Sequence, residues 1–491
     1  MELGIMAETS VTYSWLVGFV CFVLAMILLQ LYRIVDSRGY NLPPGSRGWP
    51  LIGESLGFMR AINSGSQPRR FIQDRELRYG EIFRSNLFGR SRMIVSVDPE
   101  FNKHILQNEG RLFQSNYPRP FRNLIGKFGL VAVHGDLQKK LHGTAVNFLG
   151  FEKLRVHFME DIQNLMQTTF AQWQAKRDIH LHEECHQLVL NLMAKQLLDL
   201  SPSKETEEMG KAFAVFSKAF LAVPIRIPGT SYARGIKGRA FLIKKIKEGI
   251  KHRRQHPDEA VHNDFLGELL KEDLHSEEVI ADLVLFLLFA GHETSASAMV
   301  FSIKFLTDCP RALHELKEEH GALLKRNGSP RNQKLTWDDY RSMKFTECVI
   351  YKTLRLANVA SAIFREAKED IKIKGGFVIP RGWTVMVLLN SMHLDEKYHS
   401  SALTFDPWRW QRQLENNELS KNPSFIPFGG GARLCPGMHL AKLELALFLH
   451  NFVTKFRWEA VEDDKISYFP VSHLTKGFPI RLHHLQERMD D

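Results

Sequence analysis

The feature that most limits what this chain can fold into is a short loop, FIPFGGGARLCPG, at residues 425–437. Cys435 stands in it between three glycines, Gly429 to Gly431, and the pair Pro436-Gly437. Glycine lets a backbone turn closely around a neighbouring group. A buried thiolate is costly by itself and becomes stable where a cation sits on the sulfur. Pro436 and Gly437 open the helical stretch MHLAKLELALFLH, whose N-terminus favours negative charge. Arg433, two residues before the cysteine, is placed to meet an acidic group on a cofactor's edge. Together these residues describe a haem iron with Cys435 as its axial thiolate.

The other four cysteines, Cys21, Cys185, Cys309 and Cys348, are scattered, and no C-x-x-C pair exists. This disfavours zinc-ribbon and thioredoxin-type sites and a disulfide framework, and it suits a reducing compartment. With 44% hydrophobic and 24% charged residues, the 491-residue chain is globular rather than disordered. A net charge of +10 favours anionic partners without choosing among them. The basic stretch Lys237 to Arg254 spaces its charges helically around Phe241, Leu242, Ile246 and Ile250. It is read as a solvated helix face, and no nucleic-acid partner is expected. HLHEECH gathers His182, Cys185 and His186, but the sequence offers no second ligand pair at a recognised spacing, so no metal is assigned there.

The N-terminus predicts a membrane anchor over residues 1–32. Its apolar run WLVGFVCFVLAMILL, extended by Gln30, Leu31 and Tyr32, reaches about the length that spans a bilayer, with the transmembrane helix at about 15–32. No basic n-region or small-residue cleavage site marks it as a signal peptide. Residues 1–14 carry no Lys or Arg, whereas Arg33, Arg38 and Arg47 follow the run. The positive-inside rule then gives one pass with the body on the cytosolic side. Asn327-Gly328-Ser329 is read as a turn rather than a glycosylation site. A proline-rich connector at 33–50, with Pro43, Pro44 and Pro50, leads into one large domain at 51–491.

Along that domain the periodicity predicts a mainly α fold with small β-sheets. Two short strands flank a turn at Gly89. Helical spacing dominates from about 137 to 255, broken by Pro224 and Pro228, and a long apolar helix covers 277–306. Strands with glycine turns follow within 370–389, and a last helix runs from about Gly437 to Lys455. Nothing alternates as βαβ, which disfavours a doubly wound sheet.

At Phe428, Gly431, Arg433, Cys435 and Gly437 the loop resembles the F-x-x-G-x-R-x-C-x-G signature of the cytochrome P-450 haem-thiolate monooxygenases. A second likeness lies on the long apolar helix. LLFAGHETSAS is similar to the family's A-G-x-[DE]-T-[TS] segment at Ala290, Gly291, Glu293, Thr294 and Ser295. Ala290 and Gly291 leave room for dioxygen. A mid-helix glycine costs about 1 kcal/mol against alanine and so asks for a reason. Glu293 and Thr294 form an acid–alcohol pair suited to relaying protons. FDPWRW resembles the segment before the cysteine loop, with Arg409 as its arginine, and Arg365 lies where the family often places an arginine on a haem propionate. The resemblance implies the cytochrome P-450 fold behind one N-terminal transmembrane helix, in the endoplasmic reticulum membrane with a lumenal N-terminus. It implies haem held by Cys435, dioxygen, and electrons from an NADPH–cytochrome P-450 reductase.

Four positions depart from the family. Its E-x-x-R motif reads KTLR here, so Lys352 stands where the glutamate would pair with Arg355 and Arg409. Three cations with no matching anion are expected there, weakening haem loading or folding. Gln138 and His142 replace residues that contact haem propionates, with Lys139 and Lys140 as basic neighbours, and His439 replaces a frequent acid. NLMAKQLL, VPIRIPGTSYARG and TLRLANV resemble plant steroid hydroxylases of brassinosteroid biosynthesis, which implies a sterol or steroid substrate and attack at side-chain carbon 22. Ser361 to Phe364 depart from that group beside the haem pocket. Alternatives are a triterpenoid or other sterol-position oxidase, and a haem isomerase or dehydratase that uses no dioxygen, which Thr294 disfavours. A further alternative is a catalytically impaired sterol-binding relative, which Lys352 favours.

Overall fold

The computed structural model describes residues 15–28, 39–49, 53–62, 69–220, 222, 224–256, 263–271, 276–326, 334–416, 418–419, 422–468 and 471–485. Its centre is a 32-residue helix, Glu277–Asp308 (α4), buried around nearly its whole circumference from Val279 to Leu306. A helix apolar on all faces belongs inside a core or a membrane. Here other helices enclose it, so its length and hydropathy mark a core element. Its start is set locally. Ser276 accepts a hydrogen bond from the Val279 N–H, and Glu277 and Glu278 occupy the first turn, where the helix dipole favours acids.

Five further helices position the site: Gly135–Phe148 (α1), Leu181–Leu198 (α2), Lys204–Ser217 (α3), Lys344–Ala357 (α5) and Met438–Lys455 (α6). α2 packs along α4 more extensively than any other helix does. At Gly291 a Cβ would lie 2.5 Å from Met193 Cε, the end of a flexible side chain that can move aside, so helix packing by itself does not demand the glycine. α3 begins with a reciprocal capping box between Ser203 and Thr206. The helical stretch ends before Pro224 and Pro228, and a new helix starts at Ser231, as the prolines predict.

The principal sheet has strands Ile82–Leu87 (β1), Arg90–Ser96 (β2), Phe113–Ser115 (β3), Ala362–Ala367 (β4) and Thr384–Leu388 (β5), in the order β1-β2-β5-β4-β3. The β1–β2 hairpin turns at Gly89, as expected. β2 and β5 run parallel, and the other neighbours are antiparallel. The register sets Ser115 opposite Arg365 on β4. Part of the expected connector joins this sheet: Gly45 bridges to Arg84, and a Cβ at Gly45 would lie 2.0 Å from the Arg84 carbonyl. A second, three-stranded sheet places Pro479–His484 between Asp178–His180 and Phe456–Ala460.

At the N-terminus the described helix covers Trp15–Leu28. Fourteen residues give about 21 Å at about 1.5 Å per residue, short of the roughly 30 Å hydrocarbon core. Its side chains are mostly exposed. Residues 29–38 of the expected anchor and connector, Pro50, and the Asn327-Gly328-Ser329 turn lie outside the described residues.

Candidate active site

The cysteine loop is built by backbone constraints. The Cys435 N–H donates to the Phe428 carbonyl at 3.0 Å, closing the loop on itself. Gly431 has φ +65°, and a Cβ there would lie 2.0 Å from the Leu106 carbonyl oxygen, so no other residue fits without backbone movement. Gly429 also has positive φ, at +73°. Gln138 and His142, one turn apart on α1, hold the loop from outside. Gln138 Nε2 donates to the Ala432 carbonyl at 3.2 Å, and His142 Nε2 lies 2.8 Å from the Leu434 carbonyl. His142 thus braces the cysteine loop as well as lining the cavity. Lys139 and Lys140 are exposed, and neither lines the cavity.

A cavity of about 340 Å³ opens between this loop and α4. Phe428, Cys435 and Gly437 form one wall, and Ala290, Gly291 and Thr294 face them from α4. Much of the remaining lining is apolar, including Phe148, Met193, Phe286, Ile363 and Leu440. Burial pushes the Cys435 thiol above its ordinary range, and a hydrogen bond from the Gly437 N–H opposes the shift. By itself this pocket keeps the sulfur protonated; a cation on the sulfur reverses that preference. Thr294 Oγ1 donates to the Ala290 carbonyl at 2.7 Å, so its hydroxyl is held within the helix at the cavity wall.

Glu293 does not line this cavity. Its carboxylate accepts from Ser217 Oγ on α3 at 2.8 Å and lies beside His182 and His473. Desolvation raises its pKa, opposed by Ser217 and by those two imidazoles. Adjacent residues on a helix point about 100° apart, so Thr294 and Glu293 reach different surroundings.

Arg365 and Arg433 line the cavity edge and converge on a residue the sequence did not single out. Glu109 Oε2 lies 2.6 Å from Arg365 Nε, and Glu109 Oε1 lies 2.5 Å from Arg433 Nε. The Ser115 N–H also donates to Glu109. Arg433 further donates to the Leu130 and Val133 carbonyls. Each guanidinium has five donors, so both keep capacity for a second anion. Nothing about Glu109 in the sequence marks this bridging role. Glu444 on α6 is a second such residue, and here a signal existed, since it interrupts an apolar helix. It is fully buried at the cavity, and desolvation pushes its carboxyl up to about 8 against the opposing Ser295 hydroxyl.

The residues present fit a haem. An apolar slot has a thiol on one face, an alcohol on the other, and two guanidiniums at its edge. When bound, haem supplies dioxygen activation and one-electron chemistry.

The KTLR departure is also visible. Lys352 has not turned outward: it is fully buried, and its Nζ has no hydrogen-bond partner among the described residues. Burial, then Arg355 and Arg409, lower its pKa to about 7, with Asp406 opposing. Arg355 donates to the His393 and Ala402 carbonyls, the latter at 2.6 Å, while its Nε has no hydrogen-bond partner among the described residues. Arg409 lies 3.8 Å from Asp406. Three basic groups therefore gather as expected, with Asp406 as a distant counter-charge.

Comparison with known proteins agrees with this geometry. The chain is 73% identical to "Cytochrome P450 720B2" of Pinus taeda, over 98% of this chain and 99% of that one. It is 58% identical to an abietadienol/abietadienal oxidase of Pinus taeda, over 90% of each. It is 39% identical to a steroid (22S)-hydroxylase of Oryza sativa subsp. japonica, over 91% of this chain and 89% of that one. The structure of the retinoic acid-bound cyanobacterial CYP120A1 superposes with a TM-score of 0.80 at 25% identity, covering 91% of this chain and all of that one. The expected likeness to steroid C-22 hydroxylases is thus a distant one. The family model Cytochrome P450 matches residues 43–478, and the chain belongs to this family: it is a haem-thiolate monooxygenase supplied with electrons by a reductase.

Proposed function

We propose that this monooxygenase oxidises a diterpenoid, at the level of an abietadienol or abietadienal, rather than a sterol. The observation that carries this reading is the gradient of similarity. The diterpenoid oxidase is 58% identical, and the steroid hydroxylase is 39% identical over a similar span. The apolar cavity supports it as well, since such a substrate is held mainly by excluding water. Phe148, Met193, Phe286 and Ile363 supply the contact surface. Cys435 is the proposed axial ligand. Thr294, held by the Ala290 carbonyl, is placed to pass a proton into the cavity, and Glu293 is the next acid along the helix. Arg365, Arg433 and His142 are the proposed contacts at the haem edge. Anchoring by residues 15–32 in the endoplasmic reticulum membrane, with the body cytosolic, remains part of the proposal.

The test reconstitutes the full chain with an NADPH–cytochrome P-450 reductase. Product formation from abietadienol, abietadienal and a C27 sterol is measured against NADPH consumed. NADPH-dependent conversion of the diterpenoids, with at least tenfold lower rates on the sterol, is expected. Preferential sterol hydroxylation would return the substrate to the steroid class. A ferrous–carbon monoxide spectrum lacking the thiolate band would instead identify a chain that does not hold haem through Cys435.

A further inference from the structure

The pair His182 and His186 lies one turn apart on α2, and the packing of α2 on α4 supplies the partners that the sequence lacked. His292 is buried on α4, and its Nε2 lies 3.2 Å from His186 Nδ1. Glu293 follows it, and one ligand atom from each of His186, His292 and Glu293 falls within 4.8 Å of the others. The His182 ring lies 4.1 Å from that of His186. We infer that this cluster, outside the haem cavity, is a binding site for a divalent transition metal, with zinc as the best match to its nitrogen and oxygen donors.

Two observations support the site. The first is geometry. Zinc binds imidazole nitrogen at about 2.0–2.1 Å, so two nitrogens in a tetrahedral shell sit about 3.3 Å apart. The His186–His292 separation already matches, and a carboxylate oxygen of Glu293 lies within 4.8 Å of both. The second is charge. The groups bearing on the desolvated Glu293 carboxylate are the Ser217 hydroxyl and the imidazoles of His182 and His473, with no Lys or Arg. A partly buried carboxylate facing imidazoles has no cation beside it, and imidazole is a common transition-metal ligand. His182, His186 and Glu293 are only partly buried, which leaves a route for an ion to enter. Zinc would displace any proton shared within the cluster.

This inference does not depend on which substrate the cavity takes. The experiment uses the haem-loaded full chain, stripped of loose metal with a chelator, exposed to zinc chloride and desalted. Metal analysis should find one zinc per haem iron. X-ray absorption at the zinc edge should show at least two imidazoles and an oxygen at about 2.0–2.1 Å. His186→Gln, on α2 and away from the cavity, should weaken zinc retention at least tenfold. Absence of retained zinc in the unmodified chain overturns the proposal, whether or not the variant folds. Equal retention by His186→Gln, or a shell without imidazole, also overturns it and assigns the zinc to the surface.

Discussion

Two buried groups of cations in this molecule are handled in opposite ways. Arg365 and Arg433 share one carboxylate, Glu109, and both ion pairs are short and closed to solvent. Lys352, Arg355 and Arg409 gather around no such group: Asp406 is 3.8 Å from Arg409 and partly exposed, and Glu396 bears on Arg355 alone. In the first case one anion settles two charges, and spare donors remain for a haem edge. In the second, backbone carbonyls hold Arg355 while Lys352 has no hydrogen-bond partner among the described residues. The difference shows that a buried cation needs an acceptor at contact distance, because a distant charge does not replace lost hydration.

The largest effect should come from breaking the satisfied cluster. Glu109→Gln leaves two buried guanidiniums without their shared charge. It should cost about 3–5 kcal/mol and lower haem content, read by thermal melting and by the carbon monoxide spectrum. An unchanged melting temperature would mean that the arginines do not need Glu109. Repairing the unsatisfied cluster should have the next largest effect, in the opposite direction. Lys352→Glu places an acid between Arg355 and Arg409 and should stabilise the chain by about 3 kcal/mol, raising haem per polypeptide. Equal haem content in the two forms would show that the lysine is tolerated.

The smallest effect is a pH dependence. Lys352 is lowered to about 7 from its ordinary 10.5. Between those values the unfolded chain holds more protons than the folded one, so stability rises with pH across that window. The slope from this group is at most about 1.4 kcal/mol per unit. Below about pH 7 the lysine is charged in both states, and its full burial cost is present. Melting curves of the wild type and Lys352→Met between pH 7 and 9 isolate this contribution: the wild type should gain relative to the variant. Parallel curves would mean that water or an anion reaches Lys352.

The sequence by itself determined the cysteine loop, the central helix and the Thr294 segment. Each depends on local chemistry: glycine at positive φ, a thiol before a helix, and an apolar run interrupted by small and polar residues. It also made Lys352 visible as a misplaced charge. It did not assign Glu109 to the arginines, because 256 and 324 residues separate it from them: the β3–β4 pairing brings in Arg365, and the packing of the cysteine loop against Leu106 brings in Arg433. It did not complete the histidine pair of α2, because His292 is 106 residues away on another helix. Nor did it separate Glu293 from Thr294, which rotation about a helix axis sends to different surroundings. Loops and helix caps are fixed by residues that are neighbours in the chain. Charge pairing and ligand clusters are fixed by packing, which joins groups that no local pattern connects.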